Sequence, residues 1–431
     1  MSPEKTIPTE GHSVAFGCLA RGPQVTLLAT PVAPRRAGVG VEQRAARTVA
    51  ALAERGPVEV TLCRPLWTSL RAGAGDARWS PRLDPLPGEL LLRRAALAWP
   101  RSTLVANMAT AAHRVLPRAD RVTTALTRGA RLFAGERRAR RTPVFHAFHA
   151  FRLAAAAALP SPRPARAEID LDDLESEVAR AIAELAQRLG DTAIAAFYRA
   201  LSERLVALEE AFLPRFDRAY VGSRSDADWL AARMPQLELR VLPNVVDLPA
   251  LPRAPRAPGP TRFLFVGALA YYPNIDALRV LVDEVLPRLR SLRSTSSFAL
   301  HVVGRGAPRW LEARLRADPN VVFHGPVAAM APHLAAADAM VVPLRAGGGT
   351  RIKLLEAFAH RVPVIATTIG AFGLDVSDGR ELVLADGAEA IAAACARFVD
   401  DPEHAEPLAV AAFELVARQH QTPVFAECLQ R

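Results

Sequence analysis

Between Ala339 and Ala359 the chain changes its hydrophobic period, and glycines stand at the change. Ala339 to Pro343 is an unbroken apolar run, the pattern of a strand buried on both faces. Further on, Ile352, Leu355, Phe358 and Ala359 share one stripe of a helix, with Lys353 and Glu356 on the adjacent stripe. Gly347, Gly348 and Gly349 lie between the two patterns. A glycine turn into a helix N-terminus is a natural anion site. Its backbone N–H groups are unpaired, and the helix dipole adds positive potential. The spacing puts Arg351 and Lys353 in the first helical turn, where that dipole disfavours cations. Locally unfavourable choices of this kind collect at functional sites.

Lysine usage sharpens the point. Lys and Arg together number 54, yet only Lys5 and Lys353 are lysines. Where a compact point charge meets a phosphate, Arg and Lys are not equivalent. A solvated Lys353–Glu356 pair at helical spacing is the bland alternative. The glycines, Arg351 and the isolated lysine together favour phosphate binding, with Gly349 and Thr350 in the turn that would hold the ligand.

The segment Gly347 to Ala359, followed by Pro363 to Thr367 and Gly370, resembles the donor-site signature of retaining glycosyltransferases with the GT-B fold, family four in the usual classification of sugar transferases. Phe265-Val266-Gly267, Pro273-Asn274, Val303-Gly304 and His324-Gly325-Pro326-Val327 stand in the order that family shows. The resemblance implies that Glu356 binds the ribose hydroxyls of a nucleotide-sugar. It implies that Arg351 and Lys353 meet the diphosphate. The family signature often has another Glu eight residues before the ribose Glu; here that position is Gly348.

The rest of the chain repeats the strand–helix alternation. Val25 to Thr30, a helix from about Val41 to Arg55 and Val58 to Cys63 make a strand–loop–helix–strand unit. Ligands of doubly wound sheets bind at strand carboxyl ends, so the loop with Gly38 and Gly40 would line a cleft. Strands are expected at Arg218 to Gly222, Arg262 to Val266, Ala299 to Val303, Val321 to His324, Ala339 to Val342, Pro363 to Ala366 and Leu382 to Leu384. Ser223-x-x-Asp226 reads as a capping box. The proline-rich run Leu248 to Pro260 reads as a linker. The expected architecture is therefore α/β. In the terms of the resemblance it is GT-B: two Rossmann-like parallel-sheet domains, 1–247 and 261–406, facing a central cleft, with linker 248–260 and a last helix in 407–431 packing back across the hinge. By that resemblance residues 1–247 are the acceptor side and 261–406 the donor side, with Gly267 lining the donor site.

Val144 to His149 reads as a strand end carrying His146 and His149. The family often has a His there near the transferred sugar, and His146 is the position that fits; a core histidine is the alternative. Ile169 to Ser176 is strongly acidic and follows another strand. Capping of the next helix is the default reading of Asp170, Asp172 and Asp173. An acceptor contact in the cleft is the alternative, and a metal-binding Asp-x-Asp is set aside because the family works without a bound metal.

Net charge is +10, but aromatic residues are only 6% and show no interleaving with basic ones, so nucleic acid is an unsuited partner. From Arg93 to Arg141 there are 12 arginines against Asp120 and Glu136. That stretch is either a basic face for an anionic membrane or the solvated side of ordinary helices. Cys18, Cys63, Cys395 and Cys428 stand far apart, so neither a disulfide framework nor a metal site is expected. No apolar run reaches the roughly 18 residues of a membrane span. Residues 1–24 read as a loose leader without a signal peptide. A cytoplasmic location is therefore expected, with peripheral attachment to the inner membrane face as the alternative.

The resemblance implies transfer of a sugar from a UDP- or GDP-sugar to a glycan, lipid-linked or small-molecule acceptor, with retention and without metal or cofactor. Fixed positive charge must meet the leaving diphosphate. Many relatives place a further Arg and Lys in the loop Gly267 to Asn274; this chain has neither there, so Arg351 and Lys353 carry more of that charge. The alternatives are a nucleotide-sugar epimerase on the same fold and a non-catalytic nucleotide-sugar-binding protein, the latter favoured by Gly348.

Overall fold

The computed structural model describes residues 26–31, 40–56, 58–63, 90–95, 146–160, 163–249 and 258–430. The leader, Gly38, most of the arginine-rich stretch and most of the proline-rich run lie outside the described residues.

Strands β1 (Thr26–Thr30), β2 (Val58–Cys63), β3 (Leu90–Ala95), β4 (Ala147–Phe151), β5 (Arg166–Asp170), β6 (Arg218–Val221) and β7 (Glu238–Val241) form one sheet. Their order is β3-β2-β1-β4-β5-β6-β7 and every adjacent pair is parallel. Strands β8 (Thr261–Val266), β9 (Phe298–Val303), β10 (Val321–Gly325), β11 (Ala339–Val342), β12 (Val364–Ala366) and β13 (Val383–Leu384) form a second parallel sheet, ordered β10-β9-β8-β11-β12-β13. Both orders reverse direction beside the first strand, which opens a crevice at the carboxyl ends there. The central strands are buried on both faces, as a parallel sheet under helices requires: Leu27, Leu28, Ala29 and all of Ala339–Val342 are buried.

Local patterns explain the elements. The helix Gly40–Ala53 buries Arg44, Ala45, Thr48, Val49 and Leu52, a three- and four-residue rhythm that lays one face on the sheet. Ser223 caps the helix Arg224–Arg233: its Oγ accepts from the Asp226 amide at 3.1 Å, and the Asp226 carboxylate takes the Ser223 hydroxyl at 2.6 Å. Arg93 and Arg94, read from sequence as part of a basic stretch, lie in edge strand β3.

The second domain has one core that includes Phe263, Phe265, Val302, Val341, Phe358 and Ile365. The first has two, on opposite sides of its sheet. One holds Phe148, Ile169 and Leu230. The other holds Leu28, Val49, Val60 and Tyr220, and into it the last helix, Thr422–Gln430, inserts Phe425 and Leu429. The helix before it, Glu406–Gln419, packs on the second domain against the helix Ile352–Ala359. His420 meets the Asn244 carbonyl at 2.7 Å, and the helix Thr422–Gln430 then lies on the first domain.

The carboxyl ends of the two sheets face each other and touch. The Thr350 hydroxyl donates to the Gly222 carbonyl, 2.9 Å across the cleft. A Cβ on Gly40 would stand 2.3 Å from Ile352 Cδ1, so a side chain there would force the Ile352 side chain to move.

Candidate active site

One wall of the cleft is built from β11 and the segment after it. The chain leaves Val342, turns through Pro343–Thr350 and enters the helix Ile352–Ala359. Gly347 and Gly349 have φ of 120° and 67°, a region that side chains disfavour, and this lets the turn fold back tightly enough to aim the helix N-terminus at the cleft. Leu354, Leu355, Ala357, Phe358 and Ala359 fasten the helix to the core.

Arg351 is the residue before the helix, with φ −79° and ψ 91°, and not a member of its first turn as the spacing suggests. Its side chain folds back over the loop, donating from Nη1 to the Gly348 carbonyl at 2.7 Å. Its Nε is buried and has no hydrogen-bond partner among the described residues. The conflict between cation and dipole is thus relieved for Arg351 by loop carbonyls.

Lys353 is in the first turn and half-buried. It donates to Asn274 Oδ1 at 3.2 Å and sits 5.2 Å from the centre of the Phe265 ring. Burial, and after it the Arg351 charge, bring its ammonium down to about 7 against the pull of Glu356. Glu356 is half-buried too. Burial raises its carboxyl, while Arg47 of the first domain and Lys353 pull it down. The bland reading of these residues as a solvated surface pair does not survive: both face the domain junction.

The loop after β8 completes this wall. It lacks cations but supplies Asn274, which also donates to the Ala268 carbonyl at 3.0 Å. Gly267 makes room for it, since a Cβ there would lie 2.7 Å from Asn274 Nδ2. Gly267 therefore supports Asn274, which in turn holds Lys353.

The opposite wall is the acidic turn after β5. Capping does not explain it: the helix Glu175–Arg188 has Leu174 at its N-cap and no side-chain cap. Instead Asp170 takes Arg44 by two bonds, Nε at 2.9 Å and Nη2 at 2.8 Å. Arg44 is fully buried and also reaches Asn244 Oδ1 at 3.1 Å and the Leu242 carbonyl at 3.0 Å. Asp172, at φ 62°, lies 3.5 Å from Arg44 and 3.7 Å from Arg152. Asp173 points the other way, toward Gly349. Arg44, Arg47 and Arg152 went unnoticed in the sequence, and Asn274 was read there only as part of a motif. Arg44 and Asp170 are separated by 126 residues, and no local pattern announces such a pair.

His146 is not brought to this site. It is exposed and precedes β4, at the amino end of the strand, whereas the cleft lies at the carboxyl end. His149 is buried in mid-strand, 3.8 Å from Glu168, with both ring nitrogens unpartnered among the described residues. A cavity of about 550 Å³ beside Leu159, Arg163, Arg215 and Asp217 also lies at the amino ends, before β5 and β6. Among the described residues no three His, Cys, Asp or Glu side chains are placed to hold a metal ion. Among those residues no helix is long and apolar enough to cross a membrane.

Residues 260–401 match the family described as Glycosyl transferases group 1. No curated protein matches the sequence. Sucrose-phosphate synthase from Thermosynechococcus elongatus superimposes over 94% of this chain and 97% of its own, with a TM-score of 0.63 at 18% identity. Anabaena HepE, solved with UDP, superimposes over 94% of this chain and 98% of its own, with a TM-score of 0.57 at 13% identity. The segment 260–401, which contains the glycine loop, Lys353 and Glu356, matches the glycosyl transferases group 1 family, and the chain shares the two-domain GT-B fold of these solved structures.

Proposed function

We propose that this protein transfers a sugar from a UDP- or GDP-sugar to a hydroxyl of a saccharide or lipid-linked acceptor, retaining the anomeric configuration and using no metal. One observation carries the reading. In the domain that matches the family, Arg351, Lys353, Glu356 and a glycine-turn helix N-terminus converge on a cleft closed by the other domain. The UDP found with HepE supports a nucleoside diphosphate as the carrier.

Glu356 would bind the ribose hydroxyls. Arg351 Nε, Lys353 and the backbone amides of Gly349 and Thr350 would meet the diphosphate. A leaving diphosphate gains charge as its bond to the anomeric carbon breaks, and cations fixed in advance stabilise that charge without reorganising. Lys353 is the sharper instrument, because burial leaves its ammonium poorly solvated and ready for an anion.

A thermal-shift panel with UDP, GDP and ADP, each with and without EDTA, tests the reading. The midpoint should rise with UDP or GDP by mass action, unchanged by the chelator, and should not rise in Glu356→Ala or Lys353→Ala. No shift with any nucleotide refutes a donor site here. In turnover assays Lys353→Ala should lower kcat roughly 100-fold, more than it raises KM, as loss of a transition-state contact does. Wild-type-like kcat in that variant sinks the assigned role.

A further inference from the structure

Lys353 is one of only two lysines in the chain, and a lysine stem has no geometry of its own. Its neighbours must decide where the ammonium stands. The partner that fixes it is a neutral one. Lys353 donates to Asn274 Oδ1 at 3.2 Å, whereas Glu356, three residues along the same helix, acts on it only through space. The Phe265 ring covers another side, 5.2 Å from the ammonium.

Asn274 itself cannot turn. It is buried, its Nδ2 donates to the Ala268 carbonyl at 3.0 Å, and its backbone amide donates to the Tyr271 carbonyl at 2.9 Å. A carbonyl only accepts, so the amide nitrogen must face Ala268 and the amide oxygen must face Lys353. Gly267 keeps that pose open: a Cβ there would lie 2.7 Å from Nδ2 and 2.9 Å from Cγ. Between Gly267 and Asn274 there is no Arg or Lys. A loop without a cation of its own therefore holds the cation of the glycine-loop helix.

Resting on the donor-site reading above, we propose that Asn274 is a positioning residue for sugar transfer: it fixes the Lys353 ammonium in place and, being uncharged, leaves that charge whole for the diphosphate. A carboxylate at this position would hold the ammonium harder, but it would neutralise it and repel the diphosphate. With no acceptor there, the ammonium would swing on its stem, and a charge that must reorganise stabilises a leaving group less than a fixed one. The amide oxygen also favours the charged form of a lysine that burial and Arg351 push down, against Glu356. Arg351 and Glu356 are the charged groups that act on this ammonium, and Arg47 of the first domain acts on Glu356 in turn.

The scarcity of lysine makes the test direct. With lysine labelled at 13Cε, only Lys5 and Lys353 give signals, and Lys353→Met assigns them. Wild type, Asn274→Ala and Asn274→Asp are titrated with pH by NMR, and each is then titrated with UDP and with GDP by calorimetry at about pH 6. Wild-type Lys353 should titrate at about 7. Asn274→Ala should lower that value, because a buried ammonium loses its acceptor, and Asn274→Asp should raise it, because a carboxylate takes the acceptor's place. Both should weaken binding of the nucleotide that wild type takes, by roughly 10-fold. A residue that only supported its loop would weaken binding without moving the titration in opposite directions. In a Lys353→Met background Asn274→Ala should cause no further loss. A Lys353 titration unmoved in both variants overturns the proposal, as does an Asn274→Ala protein that binds nucleotide as tightly as wild type. If the titrations move as expected and neither UDP nor GDP binds wild type, the donor-site reading is what has failed, and the role in transfer falls with it. In Asn274→Asp a second oxygen would face the Ala268 carbonyl. Should that variant not fold, Asn274→Ala and the Lys353→Met background decide alone, and a full loss in that background overturns the proposal.

Discussion

Lys353 and Arg44 show how differently two buried cations can serve. Lys353 is held below its ordinary value of 10.5, at about 7, because burial outweighs the pull of Glu356. Between those two values the unfolded chain holds a proton that the empty native protein has lost. This group's contribution to stability therefore rises with pH through that window. A bound diphosphate reverses the preference and raises the ammonium again. Nucleotide binding at about pH 8 should take up a proton, and affinity should fall as the pH rises above about 7. Titration calorimetry in two buffers of different ionisation enthalpy checks this; heats that do not depend on buffer contradict it. Arg44 has no such freedom. It is tied to Asp170, Asn244 and Leu242 and covered by Phe425, 5.6 Å from the ring centre. Arg44→Met should cost about 3–5 kcal/mol in urea unfolding, since Asp170 would stay buried without its cation. A loss below about 1 kcal/mol would show that the turn relaxes and hydrates Asp170.

At the scale of elements, the glycine loop and the acidic turn are one device shared by two domains. The sequence shows the loop plainly, because the change from strand to helix period is local. It does not show that Gly349 faces Asp173, a contact spanning the whole linker. It also misplaces Arg351, since the residue before a helix and the first residue within it look alike in a pattern. Gly349→Ala should lower stability by roughly 1–2 kcal/mol through its left-handed backbone alone. The clash with Asp173 should add to that in the closed cleft. A double-mutant cycle with Asp173→Ala separates the two: the backbone cost should remain, and the clash should appear as coupling of about 0.5–3 kcal/mol. Strict additivity would mean that the loop and the turn do not touch in solution. The acidic turn was legible as acidic but not in its purpose. Its guanidinium partners come from Gly40–Ala53 and the end of β4, brought together only by the sheet order.

For the whole molecule, the chain ends in the domain where it began. Helix Thr422–Gln430 follows the second domain in sequence and completes a core of the first, with Phe425 and Leu429 fully buried. The Leu429 carbonyl accepts from Arg55 and, at 3.4 Å, from the Tyr220 hydroxyl. Phe425→Ala should therefore destabilise the first domain by about 3–5 kcal/mol while the second keeps its midpoint. Urea unfolding followed by proteolysis of each domain reads this out, and equal losses in both would contradict it.

Hydrophobic period, turn chemistry and the odd lysine are properties of neighbours along the chain. From them alone came the alternation of strands and helices, the two domains about a proline-rich run, and the glycine loop that opens a helix at Gly347 to Glu356. Which wall faces that loop is a property of neighbours in space. Parallel sheets place all their carboxyl ends together, so strand direction assigns Asp173 to the cleft and leaves His146 at the far end. Sheet order then sets Arg44 beneath the acidic turn and Arg47 beside Glu356. No stretch of sequence contains those distances, and only the packed domains decide them.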